Sequence, residues 1–339
     1  MDFKFNFSAA SDEPENKKEN IGKKQDKNLI NLQKYQHFTL DDIQNVWRNS
    51  SESEVCCIEC VNLTDGTEIH FMQTYTDVCK GSETSEPTKV VSKKTGEFTI
   101  PDTIDSSDLV SKVYEGGLKV WESSLDLVEF LGKPENKSFF ADASVLEVGC
   151  GIGLPGILAS KYGAKKVVFQ DYNDFVLFNT TGPSVILNQC QVKDDEDSSA
   201  PEAKRIKTDG DLMACFERVI ETEKKIDTKC QYSFIGGDWE EIAKNIDEKF
   251  DIVLTAETIY DVTNYEKLHL LLERCVGPNG MIFLAAKSFY FGVGGGISLW
   301  IEFVENKKVF EVIVVELIDA PVKREILKMK RLTQKTGEK

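Results

Sequence analysis

Between residues 144 and 286, short apolar runs alternate with longer segments whose apolar positions recur at helical spacing. The runs predict strands at 144–148, 166–170, 232–235, 250–256 and 281–286, with helices between them at 154–162, 175–189, 239–246 and 264–276. Runs this apolar suit strands buried on both faces, and their alternation with helices predicts a mostly parallel sheet covered on both sides. A glycine-rich loop and a helix near 299–306 lead to two closing strands, 309–317 and 324–329, joined by a turn holding Asp319-Ala320-Pro321. Strands joined this briefly must be antiparallel. A parallel sheet that ends in an antiparallel hairpin departs from the nucleotide-dehydrogenase pattern.

The pattern before residue 100 is different and reads as an N-terminal extension. Residues 1–7 alternate apolar and polar positions, as a strand or as three docking phenylalanines. Residues 11–28 have the polar, charged composition of a disordered segment. A short helix is expected over 35–47, with Thr39 as N-cap and Asp41 and Asp42 in its first turn. Strands at 55–61 and 67–75 flank Asp65-Gly66, a hairpin signal, and 80–96 has loop composition. The core begins near Thr103, with a helical turn at 108–113. Gly116-Gly117 then breaks the chain before a helix that ends at Leu131, for which Ser123 or Ser124 is the expected cap. Residues 192–229 interrupt the core with an acidic run at 194–197, a basic cluster at 204–207 and a helix at 212–221.

Composition narrows the function. The chain has 339 residues, 41% of them hydrophobic, and a net charge of −16. That acidity argues against direct DNA binding and fits either a basic partner or simple solubility. Nine cysteines scattered through strands and helices suggest a reducing compartment. Cys57-x-x-Cys60 has no second pair at metal spacing, and His37, His70 and His269 are far apart, so no metal is expected. No apolar run approaches membrane-spanning length, and residues 1–30 lack a secretory pattern, so no membrane association is expected.

Candidate chemistry gathers at the predicted strand ends. Val145-Leu146-Glu147-Val148-Gly149-Cys150-Gly151-Ile152-Gly153-Leu154-Pro155-Gly156 reads as strand, glycine loop and helix start. Gly151-x-Gly153-x-x-Gly156 also matches the dinucleotide fingerprint, but a pyrophosphate gains nothing from Glu147. A ligand with cationic groups and no phosphate does, and S-adenosylmethionine has an ammonium, a sulfonium and an adenosine. Asp171 ends the next strand and suits a ribose diol, because both carboxylate oxygens accept. Asp238 and Trp239 suit an adenine amino group and ring. Glu257 and Tyr260 follow the fourth strand, where the sulfonium belongs. Each acid also has a bland reading as a helix cap or first-turn residue.

Several motifs carry a resemblance. The Glu147–Gly153 loop and the closing strands are similar to the seven-β-strand class of S-adenosylmethionine-dependent methyltransferases. Val113-Tyr114-Glu115-Gly116-Gly117-Leu118-Lys119-Val120-Trp121-Glu122 resembles, more narrowly, protein-histidine N-methyltransferases that modify a large-subunit ribosomal protein. Phe169-Gln170-Asp171-Tyr172-Asn173, Glu257-Thr258-Ile259-Tyr260, Tyr290-Phe291-Gly292-Val293-Gly294-Gly295-Gly296 and the opening Phe3-Lys4-Phe5-Asn6-Phe7 share it. The resemblance implies a Rossmann-like α/β fold with seven strands in a methyltransferase domain over 101–339. It implies a cofactor seated against Val120, Trp121, Glu122, Ser123 and Ser124, against Glu147, Gly149 and Gly151, and against Gln170, Asp171 and Tyr172. Gly237, Asp238, Trp239 and the strand end at Thr255 and Ala256 complete that set. Histidine as the acceptor would need an unprotonated ring nitrogen, with Glu257 orienting the ring and Tyr260 lining the slot. Lysine methylation by the same fold and a non-catalytic binding scaffold are the alternatives. A basic ribosomal protein is the expected partner, and cytoplasm and nucleus the expected locations, with the cluster at 204–207 as a candidate import signal.

Overall fold

The structure is a computed structural model that describes residues 35–49, 52–74, 90–94, 114–190, 209–221 and 228–332. The expectations for 1–7, 11–28, 108–113, 194–197 and 204–207 lie outside the described residues. In chain order the strands are β1 Gln36–Thr39, β2 Glu52–Asn62, β3 Glu68–Thr74, β4 Val90–Lys94, β5 Ser144–Val148 and β6 Lys166–Asp171. They continue as β7 Gln231–Gly236, β8 Phe250–Ala256, β9 Val276–Lys287, β10 Phe310–Ile318 and β11 Arg324–Arg331.

One sheet runs β1-β7-β6-β5-β8-β9-β11-β10. Strands β7, β6, β5, β8 and β9 are parallel, and β11 is antiparallel to both β9 and β10. The alternating pattern therefore predicts the architecture correctly, but the sheet has eight strands rather than seven. The added strand is β1, antiparallel to β7 with Gln36 opposite Gly236. Its sequence, Gln-His-Phe-Thr, has one apolar side chain, so no alternation marks it. Backbone pairing with β7 and the Phe38 ring, 4.9 Å from that of Phe178, hold it instead.

The expected helix at 35–47 correspondingly starts later, at Leu40–Asn49. Thr39 does cap it: its Oγ1 accepts from the Asp42 N–H at 3.2 Å, while Asp42 accepts from the Thr39 N–H at 2.8 Å. Strands β2 and β3 form the expected hairpin around Asp65-Gly66. Residues 80–96 are not all loop, because β4 pairs with β2. Its Val-Val-Ser-Lys-Lys sequence is too short and polar to stand out. The hairpin docks on the helix Gly182–Gln189 through the Met72 N–H, which donates to Ser184 Oγ at 2.9 Å. Ile43, Trp47, Ile69 and Met72 share one core with Leu127, Ile157 and Phe169.

Alternation along β5 sorts its side chains between two cores. Val145 joins the core that holds Ile157, and Leu146 and Val148 join the one that holds Leu268 and Trp300. Glu147 lies on the Val145 face, beneath the helix Leu154–Lys161. Helix Glu122–Leu131 begins after Trp121, with no side-chain cap. Neither expected serine caps it; Ser123 is buried and its hydroxyl donates to Glu257. The helix expected at 175–189 is continuous from Asp174 but contains a π turn, Leu177–Thr181. Pro183 has no N–H to offer an ordinary ladder, which suits a local change of register. In this geometry Thr181 Oγ1 donates to the Gly151 carbonyl and ties the helix to the glycine loop.

Candidate active site

The chain moves outward from β5 through β6 to β7, then returns to β8 on the other side of β5. Ligands of such sheets bind beyond the carboxyl ends at this reversal. Thr255 Oγ1 stitches the two strands there by donating to the Val148 carbonyl at 2.8 Å. A cleft opens directly above, walled by Val120, Trp121, Ser124, Glu147, Gly149, Gly151, Asp171, Tyr172, Asp238, Trp239, Ala256, Glu257 and Tyr260. All of these were expected from the sequence. Glu122, Ser123, Gln170, Gly237 and Thr255 were expected too, but they stand behind the wall and hold it.

The glycine loop explains its own composition. Gly149 has φ +61°, and a Cβ there would lie 2.6 Å from the Thr258 methyl. A Cβ on Gly156 would lie 2.6 Å from Glu147 Oε2. That closeness lets the Gly156 N–H donate to Glu147 at 2.7 Å, so the acid satisfies the start of the following helix. Glu147 is buried, which pushes its pKa well above the usual carboxylate range, and the Asp171 charge adds to this. A cation entering the cleft would favour the ionised form again.

Asp171 accepts from the Gly151 N–H at 2.9 Å and the Asn173 N–H at 3.1 Å. Burial raises its pKa to about 6 despite these bonds. Gln170 joins three loops: its Oε1 accepts from the Gly149 N–H at 3.2 Å and Trp239 Nε1 at 2.9 Å, and its Nε2 donates to the Gly237 carbonyl at 3.1 Å. Asp238 caps the helix Trp239–Asn245 by accepting from the Glu240 N–H at 2.9 Å, and it pairs with Lys267 at 2.8 Å. The bland reading of Asp238 as a cap is therefore real, and the residue still faces the cleft.

The other side of the cleft is built from side chains that meet over long sequence distances. Glu257, a non-glycine residue at φ +58°, accepts from the Ser123 N–H at 3.2 Å and Ser123 Oγ at 2.6 Å. Its second oxygen accepts from the Tyr290 hydroxyl. The Tyr260 hydroxyl donates to Glu115. Burial raises the pKa of both tyrosines well above the phenol range, with the neighbouring acids adding to it, so both remain O–H donors. Lys287, only 4% exposed, lies 5.8 Å from the Trp121 ring centre and 3.4 Å from Glu122. A resident cation thus already sits near this indole, whose ring face attracts positive charge. Sequence reasoning assigned no role to Glu115, Thr258, Asp261, Lys267 or Tyr290, which also line the cleft. Glu115 and Tyr290 lie inside the quoted motifs, whereas Lys267 is one of many helix lysines and carries no signal.

These residues fit S-adenosylmethionine. The carboxylate of Asp171 suits its ribose, Trp239 with Asp238 its adenine, and Glu147 and Gly149 its cationic end. Gly149 supplies the steric evidence, since a Cβ there would lie 2.6 Å from the Thr258 methyl in the cleft wall. Among the described residues no cluster of His, Cys, Asp and Glu is suited to a metal. No helix among them is long and apolar enough to cross a membrane.

The chain is similar to several known protein methyltransferases. Histidine protein methyltransferase 1 homolog from Bos taurus is 40% identical over 241 residues, covering 69% of this chain and 60% of that protein. The Dictyostelium discoideum protein of the same name is 38% identical over 197 residues, covering 57% of this chain and 50% of that one. Protein-lysine N-methyltransferase EFM3 from Chaetomium thermophilum is 28% identical over 186 residues, covering 54% and 46%. The chain thus spans about 60% of the length of the Bos taurus relative. A family model described as "Lysine methyltransferase" matches residues 108–198 and 195–290, which hold nearly the whole cleft wall. With the strand ends, the glycine loop and nearly all of the cleft inside that match, the chain belongs to this methyltransferase family.

Proposed function

We propose that the protein transfers a methyl group from S-adenosylmethionine to a ring nitrogen of a histidine in another protein. The observation that carries the choice of acceptor is the 40% identity to a protein named for histidine methylation. The cofactor supplies an electrophilic methyl group, and the chain's task is alignment and exclusion of water. Asp171, Asp238 and Trp239 hold the adenosine, and Glu147 and the glycine loop receive the charged end. Gln170 keeps these loops in one arrangement through its three hydrogen bonds. Glu257, held by Ser123 and Tyr290, fixes the far side of the slot, and Tyr260 lines it.

The net charge of −16 suits a basic partner, and a protein of the large ribosomal subunit is the target we infer. Such a target places the protein in cytoplasm and nucleus. A lysine acceptor is the second reading, favoured by the description of the family model. The deciding experiment incubates the protein with labelled S-adenosylmethionine and extract from cells lacking it, then maps the label by mass spectrometry. Histidine label on a ribosomal protein is the expected result. Lysine label would move the protein to the second reading, and no label despite cofactor binding would favour a scaffold.

A further inference from the structure

Glu115 differs from the other carboxylates of the cleft in what it touches. Asp171 and Glu147 accept backbone N–H groups around the glycine loop. Asp238 caps a helix and pairs with Lys267. Glu257 has each oxygen engaged by a buried group, Ser123 on one and Tyr290 on the other. Glu115 instead accepts from the phenol of Tyr260, the residue that lines the slot beyond β8. Its backbone is held firmly, because the Glu115 N–H donates to Asn173 Oδ1 at 3.2 Å and the next carbonyl, of Gly116, accepts from Trp121 Nε1 at 2.8 Å. Glu115 therefore reaches across the cleft from the β6 side to the β8 side.

We propose that Glu115, steadied by Tyr260, accepts the N–H of the acceptor imidazole and so decides which ring nitrogen is methylated. The proposal rests on the histidine reading. A carboxylate offers about four lone-pair positions, so accepting from Tyr260 is compatible with accepting a ring N–H. Holding one N–H fixes the tautomer and presents the other nitrogen, with its lone pair, to the methyl carbon. The new N–C bond forms as the C–S bond breaks, its electron pair stays on sulfur, and the positive charge passes to the ring. Glu115 lies against the N–H that then carries this charge, and the proton leaves to solvent.

The test compares wild type with Glu115→Gln, Glu115→Asp and Tyr260→Phe, all as full chains. Each receives S-adenosylmethionine and the ribosomal protein fraction of cells lacking the protein. Cofactor affinity is measured by calorimetry, and hydrolysates are resolved into the two N-methylhistidine isomers. Wild type should give one isomer. Glu115→Gln should lower kcat roughly 100-fold, in the range of a lost acid–base partner. It should also give both isomers, with any loss of cofactor affinity smaller than the loss of kcat, because the residue serves the acceptor. Glu115→Asp should restore the single isomer in part. A merely structural role would not change the isomer ratio. A single isomer at wild-type kcat from Glu115→Gln overturns the proposal, as does a loss confined to cofactor affinity. If that variant does not fold, Tyr260→Phe reads the same ratio, and an unchanged ratio and rate overturns the proposal equally. Lysine label from wild type would defeat both this proposal and the histidine reading, whereas histidine label with an indifferent Glu115 defeats this one alone.

Discussion

The two sides of the cleft are built by different means. The β5–β7 side is held chiefly by backbone: Gly149, Gly151, Gly156 and Asn173 each give an N–H to the side chain of Gln170, Asp171 or Glu147. The β8–β9 side is held by side chains on side chains, Ser123 and Tyr290 on Glu257 and Tyr260 on Glu115. A backbone cradle serves a ligand of fixed chemistry and tolerates few residue types. A side-chain lattice can be retuned by exchanging one partner, which suits the side that must choose an acceptor. The contrast also separates rigidity from stability, because Glu257 is a buried acid whose partners are buried donors.

The largest effect is expected from Gly149→Val. It adds a Cβ at φ +61° that would lie 2.6 Å from the Thr258 methyl, where the glycine loop meets the end of β8. Cofactor affinity measured by calorimetry should fall at least 100-fold, while circular dichroism remains that of wild type. Retained affinity would mean that the backbone cradle is not the binding surface. Glu257→Ala probes the other side. It strips partners from the buried Ser123 and Tyr290 donors and should cost on the order of 3 kcal/mol, read as a lower Cm in urea. An unchanged Cm would show that the lattice is not structural.

Asp174→Asn gives the clearest sign. Burial and the charge of Asp171 raise the Asp174 pKa to about 7. The folded state then holds a proton that the unfolded chain releases near pH 3.8. Stability is lost as pH rises from about 4 to 7, so the asparagine variant should be more stable than wild type at pH 8, by on the order of 4 kcal/mol, and equal to it below pH 4. Parallel stability curves for the two proteins across that range would remove Asp174 from the account.

The same contrast sets what could be read from sequence. The β5–β7 side is written in local strings, because a strand, a loop and a helix start are contiguous in Glu147–Gly156. The β8–β9 side depends on Ser123 meeting Glu257 across 134 positions and Glu115 meeting Tyr260 across 145. No spacing rule joins residues that far apart, so Glu115 stayed without a role and Ser123 read as a cap. Asp238 shows the opposite case, a residue whose local role as helix cap and whose place in the cleft wall are both real. Long apolar strands announced themselves, whereas β1 and β4 did not, because pairing at a sheet edge asks for backbone rather than apolar side chains.

The pairing of β1 with β7 also has a consequence in time. Gln36 meets Gly236, so the first described strand finds its neighbour only after 200 further residues are made. At about 5–20 residues per second, a nascent chain would carry that strand unpaired for roughly 10–40 s. Until then the Leu40–Asn49 helix, with Ile43 and Trp47 at 0% and 4% exposure in the finished protein, has no complete surface to cover it. The Leu40–Asn49 helix thus keeps an incompletely covered apolar face until β7 has been made.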